Sequence, residues 1–308
     1  MKWNINSRVL GWIGVSLSII ITCFWAFWGI TENFHEGWYH ESLMANLGLM
    51  LVQYLSPMLI FIGITLVSIF YRRLGSVLHG AFVVFAIWFF NAFQNPALFI
   101  LIAPLIGLGL LYWLGDPQPR RRAAFLVLGL PALTLILAGV EPAWRVSQRI
   151  ADGNLQARVV VGNGVSLIWA PDGPGWPRTG TDWYEARQVC RYLSEDGLTV
   201  ASSPQNVWHL PTVDEAVRSM TCHGRNCEGE WDAENAQAIY NLRPDKESPL
   251  WNVYSPVIYW WTDTEVDDKY AYIIVYDGKV WPRGKRIRPD YLGFRCVQNS
   301  TSAVRQGR

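Results

Sequence analysis

The residues best suited to chemistry are cysteines, and two of them lie close together in the second half of the chain. Cys222 and Cys227 are separated by four residues, in the segment CHGRNC. Thiols at this spacing suit either a structural disulfide or a redox-active or metal-binding pair. With Cys190 and Cys296, residues 141–308 hold four cysteines. An even number favours disulfides if this part of the chain lies in an oxidising compartment.

An acidic segment after Trp260-Trp261 offers oxygen ligands. Asp263, Asp267 and Asp268 are candidate calcium ligands, because calcium binds loop carboxylates and carbonyl groups. The alternative is a solvated acidic loop, the commoner outcome for a run of charges. We expect no other cofactor. Residues 141–308 contain only two histidines, His209 and His223, and no Ser/His/Asp arrangement that would indicate a hydrolase.

Composition divides the chain into two unlike parts. Residues 1–140 hold seven of the 26 Lys and Arg residues and four of the 25 acidic residues. The remaining 19 basic and 21 acidic residues lie in 141–308. This second part therefore has the charge content of a soluble domain. Its net charge is close to zero, which argues against a nucleic-acid-binding surface.

Five hydrophobic stretches in residues 1–140 are long enough to cross a bilayer as helices. They span residues 9–30, 44–70, 75–93, 97–114 and 123–140. The third and fourth share one uncharged run of 42 residues, which Gln94-Asn95-Pro96 divides at a tight turn. His79 is the only histidine within the spans, which contain no Asp, Glu, Lys or Arg. We expect it to be hydrogen-bonded or interfacial rather than a ligand or proton relay.

The loop charges predict an orientation. With the N-terminus inside, Arg72, Arg73 and Arg120–Arg122 all fall inside, while Thr31–Ser42, which has three acids and no Lys or Arg, falls outside. Five spans then place residues 141–308 on the outer side. We therefore predict a multi-pass protein of a bacterial cytoplasmic membrane, with its C-terminal domain periplasmic or extracellular.

Cap and turn signals in the second part predict an α+β domain. One helix begins at Asp182 with Glu185 three residues later, and a second begins at Thr212 with Glu215 in the same relation. We expect the first to end at Gly197, the second to end near Met220, and a third to cover Asp232–Tyr240. Predicted strands are 157–161, 165–169, 257–261, 270–276, 279–281 and 293–297.

Residues 158–298 also resemble a known family. The segments that carry the resemblance, in order, are LIWAP (167–171), GPGWP (173–177), DWYEARQVC (182–190), WHLPTVDEA (208–216), YWWTDT (259–264) and YLGFRCV (291–297). This succession resembles the formylglycine-generating enzyme (sulfatase-modifying factor) family, which implies a C-type-lectin-like fold. The predicted architecture is an all-α transmembrane bundle (1–140), a linker (141–157), the α+β C-type-lectin-like domain (158–298) and a tail (299–308).

The resemblance also implies a role for each cysteine. In this fold the first helix adjoins the last strand, so we pair Cys190 with Cys296 and leave Cys222 and Cys227 to form a local disulfide. Enzymes of the family bind copper through a C-x4-C pair shortly before their GFR motif. Here that segment, 279–291, holds no cysteine. We therefore assign no catalytic residue.

The sequence thus favours a membrane-anchored interaction module, such as an accessory subunit of a membrane complex. Its expected partners are the lipid bilayer and another protein, and not nucleic acid. The predicted contact surface comprises Trp260, Trp261, Trp281, Arg283 and Arg286. Two alternatives stay open: a formylglycine-generating copper enzyme acting on secreted polypeptides, and a calcium-dependent glycan-binding sensor.

Overall fold

The computed structural model describes residues 6–300 and divides the chain into two compact units. Unit 1 comprises the residues up to Trp38 together with Ser42–Trp144. Unit 2 comprises Tyr39–Glu41 and the residues from Arg145 onward. Within the predicted tail, residues 301–308 lie outside the described residues.

Unit 1 is helical, as its composition predicts. Its helices are α1 (Ser7–Glu32), α2 (Leu43–Leu49), α3 (Ser56–Phe70), α4 (Arg72–Phe89), α5 (Leu98–Leu114) and α6 (Arg120–Ser147), the last three residues of α6 belonging to unit 2. Two π-helical segments, Asn33–Gly37 and Met50–Tyr54, follow α1 and α2 directly. The predicted turn at Gln94-Asn95-Pro96 falls between α4 and α5.

Three helices of the described chain are long and apolar enough to cross a membrane: Ser7–Gly37, Arg72–Phe89 and Arg120–Ser147. A fourth span requires Leu43–Tyr54 and Ser56–Phe70 to act together, although they are bent by 60°. The predicted span 97–114 corresponds to α5, which has 17 residues and is shorter than the three long helices. The structure therefore supports three or four spans by length and composition.

Pro57 explains why the predicted span 44–70 is not one straight helix. It lies in the first turn of α3, directly after the break at Leu55. Proline donates no backbone hydrogen bond, and its ring clashes with the carbonyl group four residues earlier in a helix. The chain therefore ends one helical segment and begins another at this point.

His79 is buried inside unit 1, with 1% of its surface exposed. Its Nδ1 lies 2.9 Å from the carbonyl oxygen of Gly75, and its ring stacks on Tyr112 with 5.6 Å between centroids. The Tyr112 hydroxyl in turn lies 3.0 Å from Ser18 Oγ. The histidine is thus part of the helix packing, with one ring nitrogen hydrogen-bonded as the sequence predicts.

Unit 2 combines helices with two small sheets and two short hairpins. Its helices are α7 (Trp183–Tyr192) and α8 (Val213–Ser219). Its strands are β1 (Arg158–Gly162), β2 (Val165–Trp169), β3 (Thr221–Cys222), β4 (Arg225–Asn226), β5 (Glu230–Asp232), β6 (Gln237–Ile239), β7 (Tyr259–Glu265), β8 (Tyr270–Val275), β9 (Val280–Gly284), β10 (Leu292–Gly293) and β11 (Val297–Asn299). One sheet has the order β1-β2-β11 and the other β10-β7-β8-β9, while β3-β4 and β5-β6 form the hairpins.

Both predicted helix starts are confirmed. The Asp182 side chain accepts a hydrogen bond from the Glu185 amide at 3.0 Å, which caps α7. Thr212 and Glu215 form a complete capping box at α8. The predicted end of α7 is wrong, because the helix stops at Tyr192 and Gly197 instead closes a later turn with Ser194.

The predicted helix at Asp232–Tyr240 is also wrong, since these residues belong to the β5-β6 hairpin. Asp232 Oδ1 accepts hydrogen bonds from the amides of Glu234 and Asn235 at 3.0 and 3.1 Å. An aspartate that bonds its own following backbone in this way favours a turn over a helix. The side chain of Asp232 therefore ends β5 and turns the chain into β6.

The predicted linker 141–157 is not a free connection. Arg149 forms a buried ion pair with Asp245 at 2.8 Å. The Ile150 amide donates to Glu247 at 3.3 Å, and the Asp152 amide donates to Ser248 Oγ at 3.2 Å. Residues from Arg145 onward are therefore part of unit 2 rather than a separate tether.

A core rich in tryptophan holds the two sheets and α7 together. Trp251 stacks on Trp260 with 3.6 Å between ring centroids, and Trp169 lies 5.4 Å from Trp260. The predicted Cys190–Cys296 disulfide is confirmed, with 5.5 Å between α-carbons. It joins the buried face of α7 to the segment before β11, and both cysteines are fully buried.

Candidate functional site

The five residues of the predicted contact surface do not form one exposed surface. Trp260 and Trp261 are 1% and 0% exposed, because both faces of β7 are covered within the core. Trp261 Nε1 donates to the Thr181 carbonyl oxygen at 2.8 Å, which fixes its ring inside. Trp281 and Arg283 are half-buried and only Arg286 is exposed. Trp260 and Trp261 therefore stabilise the fold and are not available to a partner.

The acidic loop is neutralised by cations of the protein itself. Arg187 Nε lies 2.9 Å from Asp263 Oδ1, and the buried Lys285 ammonium group donates to Glu265 and, at 2.7 Å, to the carbonyl oxygen of Asp267. Asp267 Oδ1 accepts from the Lys269 and Tyr270 amides at 2.7 and 2.8 Å. These side chains therefore already have partners.

The calcium candidates do not converge as metal ligands. Asp263 lies in β7 beside Arg187, Asp267 caps a turn, and Asp268 is exposed. Within residues 6–300 there is no group of three or more His, Cys, Asp or Glu side chains that could hold a metal ion. Asp263, Asp267 and Asp268 therefore do not form one cluster of carboxylates.

Cys222 and Cys227 are free thiols, in place of the predicted disulfide. Cys222 lies opposite Arg225 in the β3-β4 hairpin, and the Cys227 amide donates to the Met220 carbonyl oxygen at 2.8 Å. Cys227 therefore pairs through its backbone with Met220, two residues before Cys222.

Both thiols are poor nucleophiles. Burial raises the pKa of Cys222, and the charge of Glu247 raises it further. Burial also raises the pKa of Cys227 to about 12, with Cys222 and Glu247 adding to the effect. Since the thiolate is the form that reacts and binds metals, neither cysteine is activated in this environment.

A groove of about 710 Å³ runs along α7 and is the largest polar concavity among those we find on unit 2. We call it the α7 groove. One wall consists of α7, the other of the segment before α8, and Asp263 of β7 lies at one side. Its lining residues are Trp183, Tyr184, Arg187, Gln188, Arg191, Tyr192, Asn206, Trp208, His209, Leu210 and Asp263.

The helical repeat explains why these side chains meet. Ala186 and Cys190 are buried against the core. The residues of α7 that lie about half a helical turn away from them therefore face outward. Tyr184, Gln188 and Tyr192 are four residues apart and form one row along the groove. The opposite wall is fixed because His209 and Val297 exchange backbone hydrogen bonds of 2.9 and 2.8 Å.

Charges in the groove are unevenly compensated. Arg187 stacks over Trp183 at 5.0 Å from the ring centroid and pairs with Asp263. Burial raises the pKa of Asp263, and the neighbouring Arg187 opposes that rise. Arg191 donates from Nε to the neutral side chain of Asn206 at 3.2 Å and forms no ion pair within the described chain. Positive charge therefore accumulates at the Arg191 end.

The groove is rich in hydrogen-bond donors without partners. Among the described residues, nothing pairs with the side-chain amide of Gln188 or the hydroxyls of Tyr184 and Tyr192. His209 uses one ring nitrogen, which lies 3.3 Å from Glu215 Oε1. The sequence contained one signal for this site: Tyr184 and Tyr192 fall on the outward face of an amphipathic helix, where aromatic side chains are not needed for packing.

The residues that line the α7 groove include no Ser, Thr, Cys or Lys. The chain matches no known protein family, no curated protein and no solved structure.

Proposed function

We propose that the protein is a membrane-anchored, non-enzymatic binding module that contacts a partner protein through the α7 groove. The observation that carries this proposal is the groove itself, with its exposed tyrosine and unpaired donors on a rigid helix. The long apolar helices of unit 1 are consistent with the anchor. Cys190 and Cys296 are disulfide-bonded, and partial or full burial raises the pKa of Cys222 and Cys227.

The C-type-lectin-like fold and the relationship to the formylglycine-generating enzyme family are part of the same proposal. Their support is the order of six sequence segments and the bond between α7 and the C-terminal segment, the pairing that the resemblance implies. Five membrane spans with the N-terminus inside are likewise proposed. The support for them is the distribution of arginines among the loops.

The two alternative functions have less support. A formylglycine-generating copper enzyme needs reactive thiolates, whereas burial raises the pKa of both Cys222 and Cys227. A calcium-dependent glycan sensor needs converging free carboxylates, whereas Arg187 pairs with Asp263 and Lys285 with Glu265.

Site-specific photocrosslinking in cells tests the binding module. A benzophenone amino acid replaces Tyr184, which is 47% exposed in the groove, or Tyr254, which is 46% exposed elsewhere on unit 2. We expect illumination to give a discrete adduct of higher mass from position 184 and none from position 254. Identical patterns from both positions, or no adduct from either, would contradict the proposal.

A further inference from the structure

We infer that the α7 groove binds an acidic polypeptide segment, with a ligand carboxylate on Arg191 and ligand backbone groups on Gln188 and Tyr192. This inference rests on the proposed function and specifies the chemistry of its ligand. The evidence is the pattern of charge and hydrogen bonding along the groove, the burial of its indole rings and its length.

The two arginines of α7 in the groove differ in how their charges are compensated. Arg187 lies 2.9 Å from Asp263 and 3.7 Å from Glu265, so its charge is compensated within the protein. Arg191 is exposed and has only the neutral Asn206 as a partner. A guanidinium group with free N–H donors binds a carboxylate in a bidentate manner. No acidic side chain of the groove therefore neutralises the charge of Arg191.

The indole rings of the groove are closed to a ligand. A sugar ring binds by stacking on an open aromatic face, but Trp183 and Trp208 are only 2% and 3% exposed. Arg187 and Lys285 further cover the Trp183 ring, at 5.0 and 4.7 Å from its centroid. What remains accessible is the row of Tyr184, Gln188 and Tyr192, and a polypeptide backbone supplies carbonyl acceptors to its hydroxyl and amide donors.

The length of the groove limits the length of the peptide that it can bind. Tyr184 and Tyr192 are eight residues apart on α7, so the row extends for about 12 Å at a rise of about 1.5 Å per residue. An extended peptide advances about 3.3 Å per residue. The groove thus accommodates about four ligand residues, and one or two acidic side chains suffice to reach Arg191.

The test is a titration of the full-length protein, purified in a mild detergent, with fluorescent peptides read by anisotropy. One probe is the peptide Ser-Glu-Glu-Tyr-Glu-Ser, and its control carries Gln in place of every Glu. We expect the acidic peptide to bind about tenfold more tightly, the scale of one charge-assisted hydrogen bond. Equal affinities of the two peptides would overturn the inference.

Variants locate the site. Arg191→Gln should remove the tenfold preference, while Arg286→Gln, which changes an exposed arginine outside the groove, should leave it intact. Gln188→Glu breaks no contact within the described chain and should also weaken binding of the acidic peptide, by repulsion and by pairing with Arg191. Loss of the preference in Arg286→Gln alone would place the site elsewhere and overturn the assignment.

Two further outcomes separate this inference from the proposed function. A sulfated disaccharide that binds more tightly than the peptide, and depends on Arg191, would overturn the polypeptide class. A partner crosslinked at position 184 equally well in Arg191→Gln would overturn the acidic ligand yet leave the binding module standing. Conversely, Arg191-dependent selectivity for the acidic peptide without any cellular adduct would support the groove chemistry and contradict the proposed function.

Discussion

At the scale of single residues, the bond between Cys190 and Cys296 does most to constrain unit 2. It links positions separated by 106 residues. A cross-link over so long a loop removes much of the conformational freedom of the unfolded chain. It also holds the buried face of α7 against the core, so that the opposite face carries the groove residues.

Removing this bond should destabilise unit 2 strongly. The double variant Cys190→Ala/Cys296→Ala should lower the free energy of unfolding by about 2–5 kcal/mol, measured by denaturant titration with tryptophan fluorescence. Cys222→Ser is the matched control, because Cys222 is a free, half-buried thiol. Its effect should stay below about 1 kcal/mol. Similar losses in both variants would argue against a stabilising Cys190–Cys296 bond.

Glu215 should make stability depend on pH. Burial alone would raise its pKa, but hydrogen bonds from His209 and the Thr212 amide outweigh it and hold the pKa below its ordinary value of 4.5. A carboxylate with a depressed pKa in the folded state stabilises the fold above the unfolded pKa, and this stabilisation is lost as pH falls through the folded pKa.

The corresponding variant is Glu215→Gln. At neutral pH it should reduce stability by up to about 1 kcal/mol, because glutamine can keep the bond to the Thr212 amide but loses the charge that strengthens it. Below pH 4.5 the difference from the parent protein should shrink, because the parent loses its charged hydrogen bonds there. Unfolding titrations at several pH values measure this. A difference that stays constant down to pH about 3 would show that the charge of Glu215 is not responsible.

At the scale of elements, α7 shows what local sequence can and cannot specify. Its start was predictable because Asp182 and Glu185 encode a cap within four residues. The hairpin at 230–239 was not, because an aspartate that accepts bonds from the amides two and three residues later fits a helix cap or a turn, and the pairing of β5 with β6 decides between them. The burial of Trp260 and Trp261 was equally hidden, since β7 is covered on both faces by segments distant in sequence.

The cap of α7 should contribute measurably to the stability of unit 2. Asp182→Ala should destabilise unit 2 by about 1 kcal/mol, because the Glu185 amide then loses its acceptor. Asp182→Asn is the matched control and should cost only a few tenths of a kcal/mol, since its side-chain oxygen accepts the same bond. Thermal unfolding distinguishes them. Equal losses for Ala and Asn would mean that the charge of Asp182, rather than the cap, is what stabilises the helix.

At the scale of the whole molecule, composition predicted the division into a helical and a mixed unit, and contacts place the boundary between Trp144 and Arg145. The number of spans was less predictable, because Pro57 breaks one apolar run and α5 has only 17 residues. The groove was hidden as well, since residues of α7, the segment before α8 and β7 meet only in the folded chain.

The side of the membrane on which unit 2 lies depends on whether the number of spans is odd or even. With the N-terminus inside, three or five spans put unit 2 outside, whereas four spans put it inside. Residues after Arg145 are hydrogen-bonded into unit 2, so a protease is a poor probe of this junction. Labelling of introduced cysteines by a membrane-impermeant maleimide is the better measurement, in a background in which the free thiols Cys23, Cys222 and Cys227 are changed to Ser.

Two exposed positions serve as reporters, one on each side of α6. Glu234→Cys, in the β5-β6 turn, should be labelled in intact cells, because the five proposed spans would place unit 2 outside. Gln118→Cys, next to the Arg120–Arg122 cluster, should be labelled only after permeabilisation, since basic loops stay inside. Labelling of both in intact cells would mean that α6 does not cross the membrane. The reversed pattern would place the disulfide on the reducing side, where such bonds rarely persist, and would refute the proposed topology.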